Sequence, residues 1–309
     1  MDGFLLVDKP PVSTSFNVVS LCRKVFQMTK VGHSGTLDPF ATGLLMVALG
    51  EGLKLLEYLP SQPKEYVGTA VLGASSATYD CDGVISVTIP PDESLDSLSK
   101  KVDLSFINTL IQENFLGSIS QVPPDHSAVK VRGIPAYIRA RRGEELLIAP
   151  RQVQIDLFEV TKFEYPFLSF RVQVSSGTYI RSLLHDLGIL LGTGAYLDSL
   201  RRTRIAQFSV EDAVSVPQLE GSIGKGGEVG VLPLEQVVQH MPRRDLTEAE
   251  YLPLSNGLFV DALPADHAAL QTSHRVLAAF LGNRLVGVLE FATPNKLKFR
   301  KKLHVDLTV

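Results

Sequence analysis

No regular alternation of strand and helix runs through this 309-residue chain, and that absence most constrains its fold. "KEYVGTAVLG", from Lys64, alternates as a half-buried strand does: Tyr66, Gly68, Ala70 and Leu72 on one face, Val67, Thr69 and Val71 on the other. "RQVQIDLFEVTKFEY" and "FLSFRVQVSS", from Arg151 and Phe167, read as a pair of strands. Helices are interspersed. Val18, Leu21, Cys22 and Val25 recur at helical spacing behind a cap at Ser13, Thr14 or Ser15. A second helix is expected from Leu104 to Phe115, with Phe106, Leu110 and Ile111 inward. A third follows "SGTY", with Ile180, Leu183, Leu184, Leu187 and Leu191 as its buried stripe. Long excursions, such as the polar stretch 90–104, separate these segments. The pattern fits an α+β chain built on a mixed sheet, not a doubly wound one. A Thr247–Glu250 capping box and two strands about a Gly282-Asn283 turn then suggest a small β-rich domain at 242–309, after a larger one at 1–241.

Composition excludes several classes. Apolar residues make 45% and charged residues 20%, as in soluble globular domains. The longest apolar runs, such as "LLMVALG", are too short to span a bilayer. "MDGFLLVDKPP" has no basic n-region, so no signal peptide is expected and the location reads as cytoplasmic. Cys22 and Cys81 form no CxxC, and neither a disulfide framework nor a zinc site is indicated. The net charge of −3 conceals basic segments. Residues 129–142 carry Lys130, Arg132, Arg139, Arg141 and Arg142 without an acid; Arg201, Arg202 and Arg204 make a second group, and Lys296, Lys298, Arg300, Lys301 and Lys302 a third. Such patches are either solvated faces or an RNA-binding surface.

The stretch from Gly32 to Gly43, "GHSGTLDPFATG", holds one acid, Asp38, among small and apolar residues. As a metal ligand it would lack companions, because only His33 is near in sequence. Asp-Pro in a glycine-rich loop is a common turn former. The third use is as a nucleophile. An aspartate is already ionised at neutral pH, so it needs placement, shielding from water and a cation to keep its charge when buried. The loop supplies no cation. Arg181, in the first turn of the helix after "SSGTY", is the candidate, since an arginine there opposes the helix dipole unless a partner holds it. Tyr66 could pack, stack on a base or handle a proton, and His33 is flat enough to stack on a nucleobase.

Taken together, these segments resemble the TruB family of tRNA pseudouridine synthases. "LLVDKPPVSTSF", "GHSGTLDPFATG", "KEY", "QVPPDHSAVKVRG", "SSGTYIRSL" and "LRRTR" occur in the family's order across about residues 3–210, and the tail resembles its RNA-binding PUA-type domain. The resemblance implies the pseudouridine synthase fold: α+β, with a central mixed, largely antiparallel sheet. It also implies isomerisation of the T-loop uridine at position 55 of tRNA, without metal or cofactor. Asp38 matches the catalytic aspartate, Tyr66 the active-site tyrosine, and Arg181 the arginine that pairs with the aspartate. Tyr179 lies beside the pocket and Lys9 matches a lysine near it. His33 matches a histidine that holds the T loop with the uridine turned out. His126, Lys130, Arg132, Arg141, Arg142 and Arg202 are the further expected tRNA contacts, with 120–145 as a thumb-like insertion.

Two positions depart from the family: His126 where an aromatic, mostly Tyr, precedes "SA", and Leu53 where Thr is usual. Both leave Asp38, Tyr66 and Arg181 in place. An aspartyl hydrolase would carry a second acid two residues on, and Phe40 excludes it. A tRNA-folding chaperone of the same build is the alternative. The expected enzyme is standalone and monomeric, acts on the tRNA T stem-loop, and needs neither a protein partner nor a membrane.

Overall fold

The computed structural model describes residues 1–59, 63–88, 103–224, 229–271 and 275–304. In chain order the strands are β1 (Gly3–Lys9), β2 (Val31–His33), β3 (Thr42–Leu49), β4 (Lys64–Leu72), β5 (Ala74–Ser76), β6 (Ile85–Val87) and β7 (Gly117–Gln121). They continue with β8 (Lys130–Val131), β9 (Ile134–Pro135), β10 (Arg151–Glu164), β11 (Phe167–Val174), β12 (Ala195–Ile205), β13 (Phe208–Ser209) and β14 (Val214–Ser215). The helices that matter for the site are α1 (Ser15–Val25), α2 (Leu104–Asn114), α3 (Ala136–Ala140) and α4 (Ile180–Leu190). The main sheet runs β14-β1-β3-β12-β4-β11-β10-β7, with β13 on β12 and β2 on β3. Only the β1–β14 and β3–β12 pairings within it are parallel, so it is mixed and largely antiparallel, as expected.

Burial explains the patterning. In β4, Tyr66, Ala70 and Leu72 are buried while Val67, Thr69 and Val71 are half-exposed, the alternation of a strand with one covered face. In β1 and β3 nearly every residue is buried, because both faces are covered. Leu5, Val7, Leu45 and Val47 meet Val18, Val19, Cys22 and Val25 of α1. Phe4, Leu6, Leu44 and Met46 meet the opposite layer. That double burial turns their sequence into continuous apolar runs. Thr14 caps α1 by accepting from the Asn17 N–H.

Two expectations are corrected, and a third falls almost wholly beyond what the structure describes. Phe106 is about half exposed, because the cap at Asp103 phases α2 so that Ile107 and Ile111 face inward. The basic group at Arg201, Arg202 and Arg204 is the end of β12, central in the sheet, and Arg202, an expected tRNA contact, is fully buried. The expected excursion at 90–104 lies almost entirely outside the described residues.

Beyond the main sheet, β15 (Arg243–Leu246), β16 (Val260–Asp261), β17 (Val276–Leu281), β18 (Arg284–Thr293) and β19 (Lys296–Lys302) form a second sheet, ordered β15-β17-β18-β19-β16. The turn between β17 and β18 falls at Gly282-Asn283, as expected. The third basic group proves largely neutralised there. Lys296 pairs with Asp261, Lys298 with Glu290, Arg300 with Glu57 and Glu290, and Lys301 with Glu57. Leu285, Val288 and Phe280 of this sheet share one apolar cluster with Phe4, Leu55 and Tyr58 of the larger layer. Leu285→Ala is expected to cost about 2–5 kcal/mol. Because Leu285 packs against both layers, the full chain should melt in one transition that shifts as a whole; two separated transitions in calorimetry would contradict the shared core.

Candidate active site

The loop after β2 is anchored from behind. Leu37 is buried; its N–H donates to Ser15 Oγ at 2.9 Å, and that hydroxyl reaches back to the Leu37 carbonyl. The Asp38 carbonyl accepts from the Ala41 N–H at 3.1 Å, closing a turn with Pro39 in its second position. Lys9 is fully buried and donates to the carbonyls of Pro10, Ser13 and Pro39, so it staples the loop and lies off the pocket wall. Burial lowers its pKa to about 8, against the attraction of Asp38. Gly43 ends the loop at φ +101, with its Cα against the Arg202 backbone; a Cβ there would lie 2.3 Å from the Arg202 carbonyl oxygen. Only glycine permits that approach, which joins β3 to β12.

The backbone of Asp38 therefore makes the turn, and its carboxylate is left for another task. Arg181 Nη2 donates to Asp38 Oδ1 at 3.1 Å, and Arg181 Nε lies 3.0 Å from Oδ2. The same guanidinium sits 3.0 Å from Asp80 Oδ2 and donates to the carbonyls of Thr78 and His126. The Arg181 side chain is 5% exposed and that of Asp80 4%, whereas that of Asp38 is 32% exposed. Of the two carboxylates, both in the cavity wall, Asp38 is the more open to a ligand. Burial pushes its pKa above the ordinary aspartate value; Arg181 pulls it down, and Asp80 and Asp82 push it up again.

These groups line a cavity of about 690 Å³ whose wall includes Asp38, Tyr66, His126, Tyr179, Arg181 and Arg202, all expected from sequence, together with Arg141. That volume suits a nucleoside-sized ligand. Tyr66 on β4 is the direct cross-strand partner of Arg202 on β12, and the guanidinium lies under the ring at 6.0 Å from its centroid. Arg202 is buried, donating to the carbonyls of Leu44 and Gly35, so it supports the pocket floor more than it reaches out. Tyr179 is held through Gln121, whose amide accepts from the Tyr179 N–H and donates to its carbonyl, while Arg151 lies 4.6 Å over its ring.

The remaining expected residues stand apart from the cavity lining. His33 ends β2, half-buried, with Nδ1 accepting from the Gly35 N–H; burial, reinforced by Arg202, lowers its pKa. Lys130 and Arg132 are exposed on the β8–β9 hairpin, and Arg142 is exposed beside Glu144. Sequence reasoning missed Asp80, Thr78, Lys64 and Arg151. Asp80 and Thr78 sit in "SSATYDCDG", which reads as an ordinary polar turn. Lys64 opens β4 facing Gly35, and burial lowers its pKa to about 8, with Arg202 adding to the effect. In all, five cations and three carboxylates face the cavity. Among the described residues no cluster of side chains could hold a metal ion.

The chain matches two family models: TruB family pseudouridylate synthase, N-terminal domain, over 23–180, and tRNA pseudouridylate synthase B C-terminal domain over 181–241. It is 40% identical over 259 residues to tRNA pseudouridine synthase B of Dehalococcoides mccartyi, covering 84% of this chain and 83% of that one. It is 40% identical over 220 residues to the Opitutus terrae protein of the same name, covering 71% and 88%. Among solved structures, an H/ACA RNP bound to a substrate RNA containing 2'-deoxyuridine aligns over 98% of this chain and 85% of that one, with TM-score 0.66 and 23% identity. A Cbf5-Nop10-Gar1 complex aligns over 97% and 84%, with TM-score 0.66 and 24% identity; both likenesses concern the fold. With the models covering residues 23–241 and relatives matching across most of their own lengths, the chain belongs to the TruB family of tRNA pseudouridine synthases.

Proposed function

We propose that this tRNA pseudouridine synthase isomerises the T-loop uridine at position 55, with Asp38 as its nucleophile. The observation that carries the reading is one carboxylate, fixed by a backbone turn, facing the cavity and paired with a buried arginine. Burial favours the protonated form of Asp38, and Arg181 opposes it by favouring the carboxylate. Tyr66 and Tyr179 offer aromatic faces to the target base, and His126 adds a flat ring where a phenol is usual. Extruding the uridine from a folded loop costs about a few kcal/mol. Base stacking, and phosphate contacts from Lys130, Arg132, Arg141 and Arg142, offset that. His33 stands near enough to the loop to hold the T loop open. The uracil stays in the site while it is detached, rotated and rejoined through C5, so neither metal nor cofactor takes part.

We read residues 1–241 as the catalytic part, 120–145 as its RNA-gripping thumb and 242–309 as a PUA-like RNA-binding unit. No helix among the described residues is long and apolar enough to cross a membrane. The chain acts as a cytoplasmic monomer on tRNA alone.

Tritium release from tRNA carrying 5-tritiated uridine tests the assignment, because C5 loses its proton only on becoming the glycosidic carbon. Asp38→Asn should release none and bind tRNA within about tenfold of wild type. No release by either protein, with tRNA still bound, would favour the chaperone reading.

Stability provides a control with a definite sign. A carboxyl raised in the folded state binds its proton more tightly there, so its ionisation lowers stability as pH climbs from the ordinary value through the folded one. The melting temperature of Asp38→Asn at pH 7 should therefore equal or exceed that of wild type. For the same reason turnover should decline on the acid side from above about pH 4, where a free aspartate would titrate.

Binding should weaken steeply with salt. Arg141→Ala should lessen the slope of log affinity against log salt by about 1, and an unchanged slope would remove Arg141 from the phosphate contacts.

A further inference from the structure

Tyr79 and His185 lie outside the cavity lining, yet they join the two elements that meet at Arg181. Their rings are stacked, with centroids 3.7 Å apart and planes 11° from parallel. His185 stands one helical turn beyond Arg181 on α4, on the same side of the helix. Tyr79 lies between Thr78, whose carbonyl accepts from Arg181 Nη1, and Asp80, the second carboxylate on that guanidinium. The Thr78 hydroxyl donates to the Asp80 carboxylate, and the Asp82 N–H donates to it at 3.1 Å. One short turn thus presents both acceptors to Arg181, and the Tyr79 ring is its handle.

The handle is held in an unusual backbone state. Tyr79 has φ +63, the left-handed region that a residue bearing Cβ disfavours. Its N–H donates to the Ser76 carbonyl and its carbonyl accepts from the Leu197 N–H, both at 3.0 Å. Such backbone states persist where the surroundings over-determine them. Here the stack supplies a second tie from the turn to α4, one turn along the helix from the Arg181 contacts to Thr78 and Asp80. His185 acts in it as a flat surface. Its Nδ1 is buried with no hydrogen-bond partner, and burial lowers its pKa, favouring the neutral ring. The facing phenol keeps its proton through burial and the nearby Asp125 and Asp186.

We propose that the Tyr79–His185 stack is a positioning element for turnover, clamping the Thr78–Asp80 turn to α4 so that Arg181 is aimed at Asp38. The inference rests on the assignment of Asp38 and Arg181 given above. It makes His185 a positioning residue that acts through its ring face, distinct from the groups that touch the uridine. A ring of similar shape without nitrogen should serve, whereas a side chain without a ring should not.

The test measures single-turnover tritium release and tRNA affinity for wild type, His185→Ala and His185→Phe, each also in an Asp80→Asn background, with melting temperatures. His185→Ala should slow the single-turnover rate about 10- to 100-fold, the scale of a misplaced catalytic group, with affinity changed less than about twofold. His185→Phe should return most of that rate. In the Asp80→Asn background the alanine change should add little, because both act through one turn. A folded His185→Ala with the wild-type rate overturns the proposal. So does a phenylalanine variant no better than alanine, or a loss that adds fully to that of Asp80→Asn. If His185→Ala does not fold, Tyr79→Leu, which keeps bulk and removes the aromatic face, carries the same comparison. A wild type that releases no tritium overturns the catalytic reading instead. The Arg181 Nε–H NMR signal then decides the clamp: sharp in wild type and broadened in His185→Ala supports it, and unchanged in both overturns it.

Discussion

The buried guanidinium of Arg181 is the interaction on which the rest of this site depends. It reaches Asp38 in the loop after β2, Thr78 and Asp80 in the turn after β5, and the carbonyl of His126 in the segment between β7 and β8. Three segments far apart in sequence therefore converge on one side chain of α4. A buried charge is costly unless paired and hydrogen-bonded. That cost enforces the convergence. Asp80 and the two carbonyls meet that need from inside the fold, and Asp38 joins the same guanidinium from the cavity side.

The two carboxylates on Arg181 have different environments and so can have different tasks. Asp80 is buried, and the Thr78 hydroxyl and the Asp82 N–H hold it, so it neutralises and orients. Asp38 is partly open to the cavity and accepts from Arg181 alone among the described side chains. One arginine thus has a fixed counter-ion and an available one. Beneath them the Tyr66–Arg202 cross-strand pair makes a floor in which an aromatic face is backed by a cation. The Gly43 approach holds β3 and β12 in that register.

Charge elsewhere divides by function. On β19 the lysines and arginines are matched by Asp261, Glu57 and Glu290, several of them across to the larger layer, so that basic run binds the protein to itself. On the 129–142 segment Lys130, Arg132 and Arg141 remain exposed, without an ion pair to a described acid. Equal runs of basic residues in sequence thus have opposite roles, decided by which acids the fold brings near.

Local pattern alone determined β4, β10, β11, the β17–β18 hairpin, the main helices, the class of the fold and the family. Period-two and helical spacings are imposed by burial of one face, and the "GHSGTLDPFATG" loop keeps its glycines for contacts that admit no side chain. The partner of Asp38 was also legible, because an arginine at the start of α4 conflicts with its own helix. Asp80, Thr78, Lys64 and the Tyr79–His185 stack were not, since each reads locally as a turn residue, a strand end or a helix surface. Lys9, expected near the pocket, is a buried staple of the loop, Arg202, expected as a tRNA contact, is buried in the pocket floor, and Phe106 looked buried and is exposed. Tertiary structure decided these because what a polar side chain does depends on which distant groups share its space. Sequence spacing records only which face a residue occupies, and the partner across that face comes from strands and helices elsewhere in the chain.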